Sequence, residues 1–171
     1  MTAAPRASRI RLLVLDVDGV LTDGGLFYGA SGEETKRFHV HDGLALVAAR
    51  KAGLRIAVLS SRASAAVTRR MTELGVSEVH QGVGDKGGAL TALCERLGLK
   101  TAEVAVMGDD LPDLAAMARA GLALAPANAV AEVKRAADWV ARRRGGDGAV
   151  REAVEMLLRA RRAWPPRGSN R

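Results

Sequence analysis

The chain has 171 residues, 48% of them hydrophobic, enough for one domain with a full core and too few for two ordinary domains. Its net charge of +7 is unevenly placed: residues 142–171 hold nine Arg and three acids, so of the totals of 26 and 19 the body keeps 17 basic and 16 acidic side chains. That near-neutral body, with five aromatic residues in all, argues against a nucleic-acid partner. No apolar run is long enough to cross a bilayer, so no membrane partner is expected. The lone Cys94 has no partner for an internal disulfide, which points to a reducing, cytoplasmic setting.

In chain order, residues 1–9 read as an N-terminal extension, 10–158 as the domain and 159–171 as a basic, disordered tail. Leu12 to Leu15 are four apolar residues ending in Asp16, the pattern of a buried parallel strand that delivers an acid into a crevice. Short alternating stretches at Leu26 to Tyr28 and Thr35 to Val40 flank GASGEE and predict a β-hairpin. Asp42 caps an expected helix that runs to Arg50 and ends at Gly53, and Arg55 to Ser60 form a second buried strand. A helix from Ser64 to Leu74, a short strand VSEVH and a helix from Asp85 to Leu97 follow, the last with Lys86 in its first turn. The strand Glu103 to Met107 runs into GDDLPDL, and LALAP, a helix near Ala129 to Ala136 and DWVA precede a glycine hinge and a final helix. Strands alternating with helices imply a doubly wound (Rossmann-like) parallel α/β sheet with helices on both faces. A β-hairpin flap would follow its first strand.

In such sheets ligands bind outside the carboxyl ends of the strands, and three of these junctions carry polar chemistry. Asp16 and Asp18, two residues apart, would face one pocket, with Val17 turned into the protein and Gly19 allowing a sharp turn or a close approach. Ser60 and Ser61, followed by Arg62, end another strand, and Asp109, Asp110 and Asp113 sit at a third junction.

The string DVDGVLTD resembles the first motif of the haloacid dehalogenase superfamily, and Ser60, Lys86 and Asp109 fit its later motifs in order and context. The resemblance implies Asp16 as nucleophile, Asp18 as acid/base held protonated by acidic neighbours, and Ser60 and Lys86 as phosphoryl ligands. It implies Mg²⁺ on Asp16, Asp109 and the backbone carbonyl of Asp18, with Asp110 and Asp113 orienting Lys86 or metal-bound water. A phosphate dianion about 4 Å from an ionised carboxylate is opposed by on the order of 8 kcal/mol at an effective dielectric of 20, so both Lys86 and a divalent cation are needed.

The gaps between Asp23 and Asp42 and between Arg62 and Lys86 are too short for a cap domain, so another subunit or a large substrate must close the crevice. The hairpin segment and the tail GGDGAVREAVEMLL are similar to the capless 3-deoxy-D-manno-octulosonate 8-phosphate phosphatases of lipopolysaccharide synthesis. That resemblance implies a small acidic sugar phosphate as substrate, a homotetramer built through the hairpins, and Gly145 to Arg151 reaching a neighbour's active site. It makes Ser61, Arg62, His41 and Arg151 candidate substrate contacts, with Lys36, Arg37 and His39 as further cations along the crevice. The chain departs from it at His41, where Arg is common, and at Ser60-Ser61, where Thr-Gly is common. A nonulosonate 9-phosphate phosphatase shares the same motifs. A phospho-accepting receiver domain would carry its acceptor on a later strand than the first.

Overall fold

A computed structural model describes residues 6–165. The run at Leu12–Leu15 is strand β1, all four residues buried, because it lies at the middle of a parallel sheet covered on both faces. Strands β4 (Arg55–Leu59), β5 (Glu78–His80), β6 (Val104–Met107), β7 (Leu122–Ala125) and β8 (Trp139–Val140) complete it in the order β5-β4-β1-β6-β7-β8, every pair parallel. β1 pairs with β4 on one side and β6 on the other, Leu15 lying opposite Val58 and Met107. The chain winds outward from β1 through β4 to β5, then crosses back to β6, so the winding reverses beside β1 and leaves a crevice at its carboxyl end.

Helices α1 (Val40–Lys51), α2 (Ala65–Glu73) and α6 (Ala149–Ala160) bury their apolar sides with Leu13, Leu15, Ile56 and Val58 on one face. Helices α3 (Lys86–Leu97), α4 (Leu114–Met117) and α5 (Ala131–Ala136) cover Leu12, Val14, Ala57, Val104 and Val106 on the other. Cys94 is a buried core residue of α3. Between β1 and α1 the chain forms an antiparallel hairpin of β2 (Phe27–Tyr28) and β3 (Glu34–Thr35), with Phe27 opposite Thr35 and a bridge from Thr22 to Phe38 at its base. No cap domain interrupts the fold among the described residues, and the expected doubly wound α/β sheet with a hairpin flap is the architecture found.

Several expectations need correction. Asp42 does not cap α1, whose N-cap is His39, its Nδ1 accepting from the His41 backbone N–H. Asp42 lies in the first turn and its carboxylate accepts from the backbone N–H groups of Gly148 and Arg151, capping α6 instead. Burial pushes its carboxyl up in pKa, against those two donors, which lower it. The tail does not begin at residue 159: α6 continues to Ala160, and Trp164 packs on the core beneath the Arg151 guanidinium. Residues 166–171, the rest of the expected tail, lie outside the described residues. Nor is the N-terminal segment separate as far as it is described, since Ala7 is fully buried and Arg6 pairs with Asp138 at 2.6 Å.

Because Asp42 is buried and ties α1 to α6, replacing it with Ala leaves two N–H groups of α6 without their acceptor. Asp42→Ala should cost about 2 kcal/mol, a fall in Tm of roughly 6 °C for a chain of this size. Calorimetry that finds an unchanged Tm would remove the capping account.

Candidate active site

The acid at the end of β1 is held where two neighbouring strands stop. Asp16 donates its backbone N–H to the Met107 carbonyl at 3.0 Å, which sets it beside the loop that carries Asp109. Beyond it the chain turns at once: the Val17 carbonyl accepts from the N–H groups of Val20, Leu21 and Thr22 and from the Thr22 hydroxyl. Val17 is fully buried, as alternation from the strand predicts. Gly19 sits at φ +92°, and a Cβ there would lie 2.0 Å from Asp109 Oδ2, so the turn can approach the second acid only as glycine.

Lys86, in the first turn of α3, reaches into this junction. Its Nζ donates to Asp16 Oδ1 and Asp113 Oδ1, both at 2.6 Å, and the residue is only 4% exposed. Asp85 fixes the start of α3 by accepting from the Gly88 N–H. The other oxygen of Asp113 accepts from the backbone N–H groups of Asp109 at 2.9 Å and Asp110 at 3.2 Å, folding the GDDLPDL loop around itself. Of the two acids expected to orient Lys86 or metal-bound water, Asp113 is the one that touches Lys86. Asp110 is exposed, and its Oδ1 accepts from the Leu111 N–H.

Oxygens of Asp16, Asp109 and Asp113 lie within 4.8 Å of one another. Three carboxylates against one ammonium leave two uncompensated negative charges in a partly buried space. Burial, then Asp113, pushes the Asp16 carboxyl up to about 6 against the pull of Lys86. Burial, then Asp16, Asp113 and Asp110, pushes Asp109 up to about 8. Burial works to lower Lys86, but the two carboxylates beside it together hold it above its ordinary value.

The missing charge is that of a divalent cation, and the donor set suits one. Asp109 Oδ1 is buried with no hydrogen-bond partner, whereas both oxygens of Asp113 are already engaged. Asp16 and Asp109 are therefore the side chains of this cluster available to a hard, oxygen-seeking cation, while Asp113 is held by Lys86 and the loop backbone.

In the metal-free fold the raised carboxyls favour the protonated state, so their stabilising contribution is present at low pH and lost as pH rises through about 6 and about 8. A cation binds the ionised form. The Tm increase on adding Mg²⁺ should therefore be larger at pH 8.5 than at pH 5.5, and equal increases at both would contradict a site made of these acids.

Asp18 faces different partners. Its Oδ1 accepts from Lys36 Nζ at 2.5 Å and its Oδ2 lies 3.7 Å from Arg62 Nε. The expectation that acids surround it does not hold, because the chain has left the strand direction by Asp18 and its side chain meets the flap and the β4 loop. Glu34 joins that group, pairing with Lys36 at 3.1 Å and Arg62 at 2.6 Å. The hydrogen bond from Arg62 draws the Glu34 carboxyl down to about 2. Tyr28 on the flap also accepts from Arg62. Ser60 is buried at the adjacent strand end, its Oγ accepting from the Arg62 N–H, while Ser61 is exposed.

His41 and Arg151 are not brought to these acids. They line a cavity of about 330 Å³ between the starts of α1 and α6, with His39, Arg143 and Asp147. Arg151 pairs with Glu155 at 2.7 Å. Arg37 pairs with Asp23 at 2.9 Å. Nor does the glycine segment extend away towards a neighbour. Gly146 N–H donates to the Val20 carbonyl, and a Cβ on Gly145 would lie 1.7 Å from the Gly19 carbonyl oxygen, so this segment is packed on its own β1 turn. Asn128, which the sequence did not single out, links the two: its Nδ2 donates to the Gly19 carbonyl and its Oδ1 accepts from the Gly145 N–H. Glu34 and Asn128 had no motif to announce them, since each acts through contacts distant in sequence.

A family model described as haloacid dehalogenase-like hydrolase matches residues 72–152. The chain is 41% identical over 155 residues to the 3-deoxy-D-manno-octulosonate 8-phosphate phosphatase KdsC of Escherichia coli K12, covering 91% of this chain and 82% of that protein. The protein of the same name from Haemophilus influenzae is also 41% identical, over 91% of this chain and 86% of its own. Among solved structures, the 3-deoxy-D-manno-octulosonate 8-phosphate phosphatase of Moraxella catarrhalis, in complex with magnesium ion, phosphate ion and KDO, superposes with a TM-score of 0.92. It is 41% identical, over 94% of this chain and 92% of that one. The likeness extends over more than nine-tenths of the chain, and the chain belongs to the 3-deoxy-D-manno-octulosonate 8-phosphate phosphatase family of haloacid dehalogenase-like hydrolases.

Proposed function

We propose that this protein is a Mg²⁺-dependent phosphatase that hydrolyses 3-deoxy-D-manno-octulosonate 8-phosphate to the free sugar acid and phosphate, a step in lipopolysaccharide precursor synthesis. The observation that carries the reading is the buried Asp16, bonded to Lys86 beside the unpartnered Asp109 Oδ1. Asp16 attacks phosphorus in line and becomes an aspartyl-phosphate. Asp18 gives a proton to the departing sugar oxygen, then takes one from the water that cleaves the intermediate. Lys86, at the start of α3, and Ser60, at the end of β4, face the phosphoryl oxygens and stabilise their charge. Mg²⁺, held by Asp16, Asp109 and the Asp18 carbonyl, supplies the further positive charge that a dianionic substrate requires beside these acids.

Arg62, its side chain half exposed beside Asp18, is a cation at the crevice and favours an acidic sugar. His41 and Arg151 stand in a second cavity of the same chain and reach substrate only if subunits combine. The protein acts as a homotetramer in the cytoplasm. Assembly through the flap is supported by Leu26, Phe27 and Tyr28, which are 43%, 54% and 63% exposed, and by Val40 and Leu44 on the outer side of α1. Light scattering should give four times the 17.9 kDa of one chain, and a fully active monomer would refute assembly as part of the site. No helix among the described residues is long and apolar enough to cross a membrane.

The substrate assignment is tested by comparing kcat/KM for 3-deoxy-D-manno-octulosonate 8-phosphate with that for glucose 6-phosphate. The acidic sugar should be favoured by at least about tenfold, roughly 1.4 kcal/mol of transition-state binding. Equal values would defeat the assignment, and a preference for a nonulosonate 9-phosphate would keep the mechanism and change the sugar.

A further inference from the structure

Lys36 has a place that the phosphatase mechanism described above leaves unexplained. It comes from the flap, immediately after β3, yet its side chain is 1% exposed and its Nζ lies 2.5 Å from Asp18 Oδ1 and 3.1 Å from Glu34 Oε1. A lysine is rarely buried this fully unless its charge is matched, and here the match is the carboxylate assigned to proton transfer together with an acid of the flap itself. The hairpin contributes little burial of its own, with Phe27 and Tyr28 more than half exposed, so an ion pair at its base is a principal tie to the domain.

We infer that Lys36 is a positioning residue: it holds the Asp18 carboxyl group by Oδ1 and so fixes where the other oxygen delivers its proton. The inference rests on the phosphatase reading and adds a role to the flap. As the bond from Asp16 to phosphorus forms, the bond from phosphorus to the sugar oxygen breaks with its electron pair left on that oxygen. The proton carried by Asp18 completes the sugar hydroxyl, and Asp18 remains as a carboxylate facing the Lys36 ammonium. Glu34 balances Lys36 in turn and, through Arg62, ties the flap to the β4 loop.

A group that only aims a proton matters in proportion to how much the leaving group needs one. The test compares kcat/KM, which reports steps up to departure of the leaving group, for the sugar phosphate and for 2,4-dinitrophenyl phosphate, whose leaving group departs without protonation. Lys36→Met should lower the first by at least about a hundredfold and the second by less than about threefold, and Lys36→Arg should recover most of the loss. If the Met variant does not fold, Lys36→Gln reads the same ratio.

Equal losses on both substrates, or none on either, would overturn the inference. A loss seen with the acidic sugar phosphate and absent with phenyl phosphate would also overturn it, by making Lys36 a ligand of the sugar carboxylate. Should wild-type enzyme hydrolyse aryl phosphates but no sugar phosphate, the substrate reading fails on its own. The role of Lys36 is then read from phenyl against dinitrophenyl phosphate.

Discussion

Asp16→Asn lowers kcat on any phosphate ester by at least about 10⁴-fold, equivalent to roughly 5.4 kcal/mol of barrier. The amide keeps the shape of the side chain, but it lacks the anionic oxygen that must attack phosphorus, and no other carboxylate can take over. Asp109 is packed against the Gly19 turn, Asp113 is engaged through both oxygens, and Asp18 is turned to the flap. The same substitution removes one of three mutually repelling acids, so the metal-free protein should melt no lower than wild type. Steady-state phosphate release and calorimetry on one preparation check both halves. Activity above a hundredth of wild type would remove Asp16 as nucleophile.

Lys86→Met has the second largest expected effect and acts on both function and fold. Lys86 is the cation bonded to both Asp16 and Asp113, and it is almost wholly buried. Its loss leaves the acid cluster without internal compensation, a change that costs about 3 kcal/mol when a buried partner is removed. It also removes a positive charge facing the phosphoryl group, for which a fall in kcat of about 10³-fold is expected. In urea unfolding the midpoint should drop for the metal-free variant and recover in part with Mg²⁺, since the cation relieves the same repulsion, while activity should not recover. An unchanged midpoint together with unchanged kcat would show that the buried ion pair matters to neither.

The parts of this architecture that were legible in sequence are those whose cause is local. Four apolar residues ending in Asp16 announce a central strand and its acid, and Asp85 ahead of Lys86 announces a helix start facing the same crevice. GDDLPDL shows its acids, but not that Asp113 would use both oxygens on Lys86 and the loop backbone and leave Asp109 for a cation. Asp42 was misread because a capping residue looks the same in sequence whichever helix it caps, and here the helix lies more than a hundred residues away. Asp18 was set in one pocket with Asp16 by counting alternation past the end of the strand, where the Val17 carbonyl already gathers a turn, and the acidic neighbours that the resemblance implied for it are replaced by Lys36 and Arg62. The glycines near residue 145 read as a hinge because their partner, the Gly19 turn, belongs to the other end of the chain.

The central claim is that a metal-assisted Asp16 site hydrolyses an acidic sugar phosphate. It is tested most directly by following phosphate release from 3-deoxy-D-manno-octulosonate 8-phosphate with enzyme first stripped of metal by a chelator and then given Mg²⁺. Release should be absent from the stripped enzyme and restored by Mg²⁺; release that continues undiminished without metal, or none at all with Mg²⁺ present, would contradict the account.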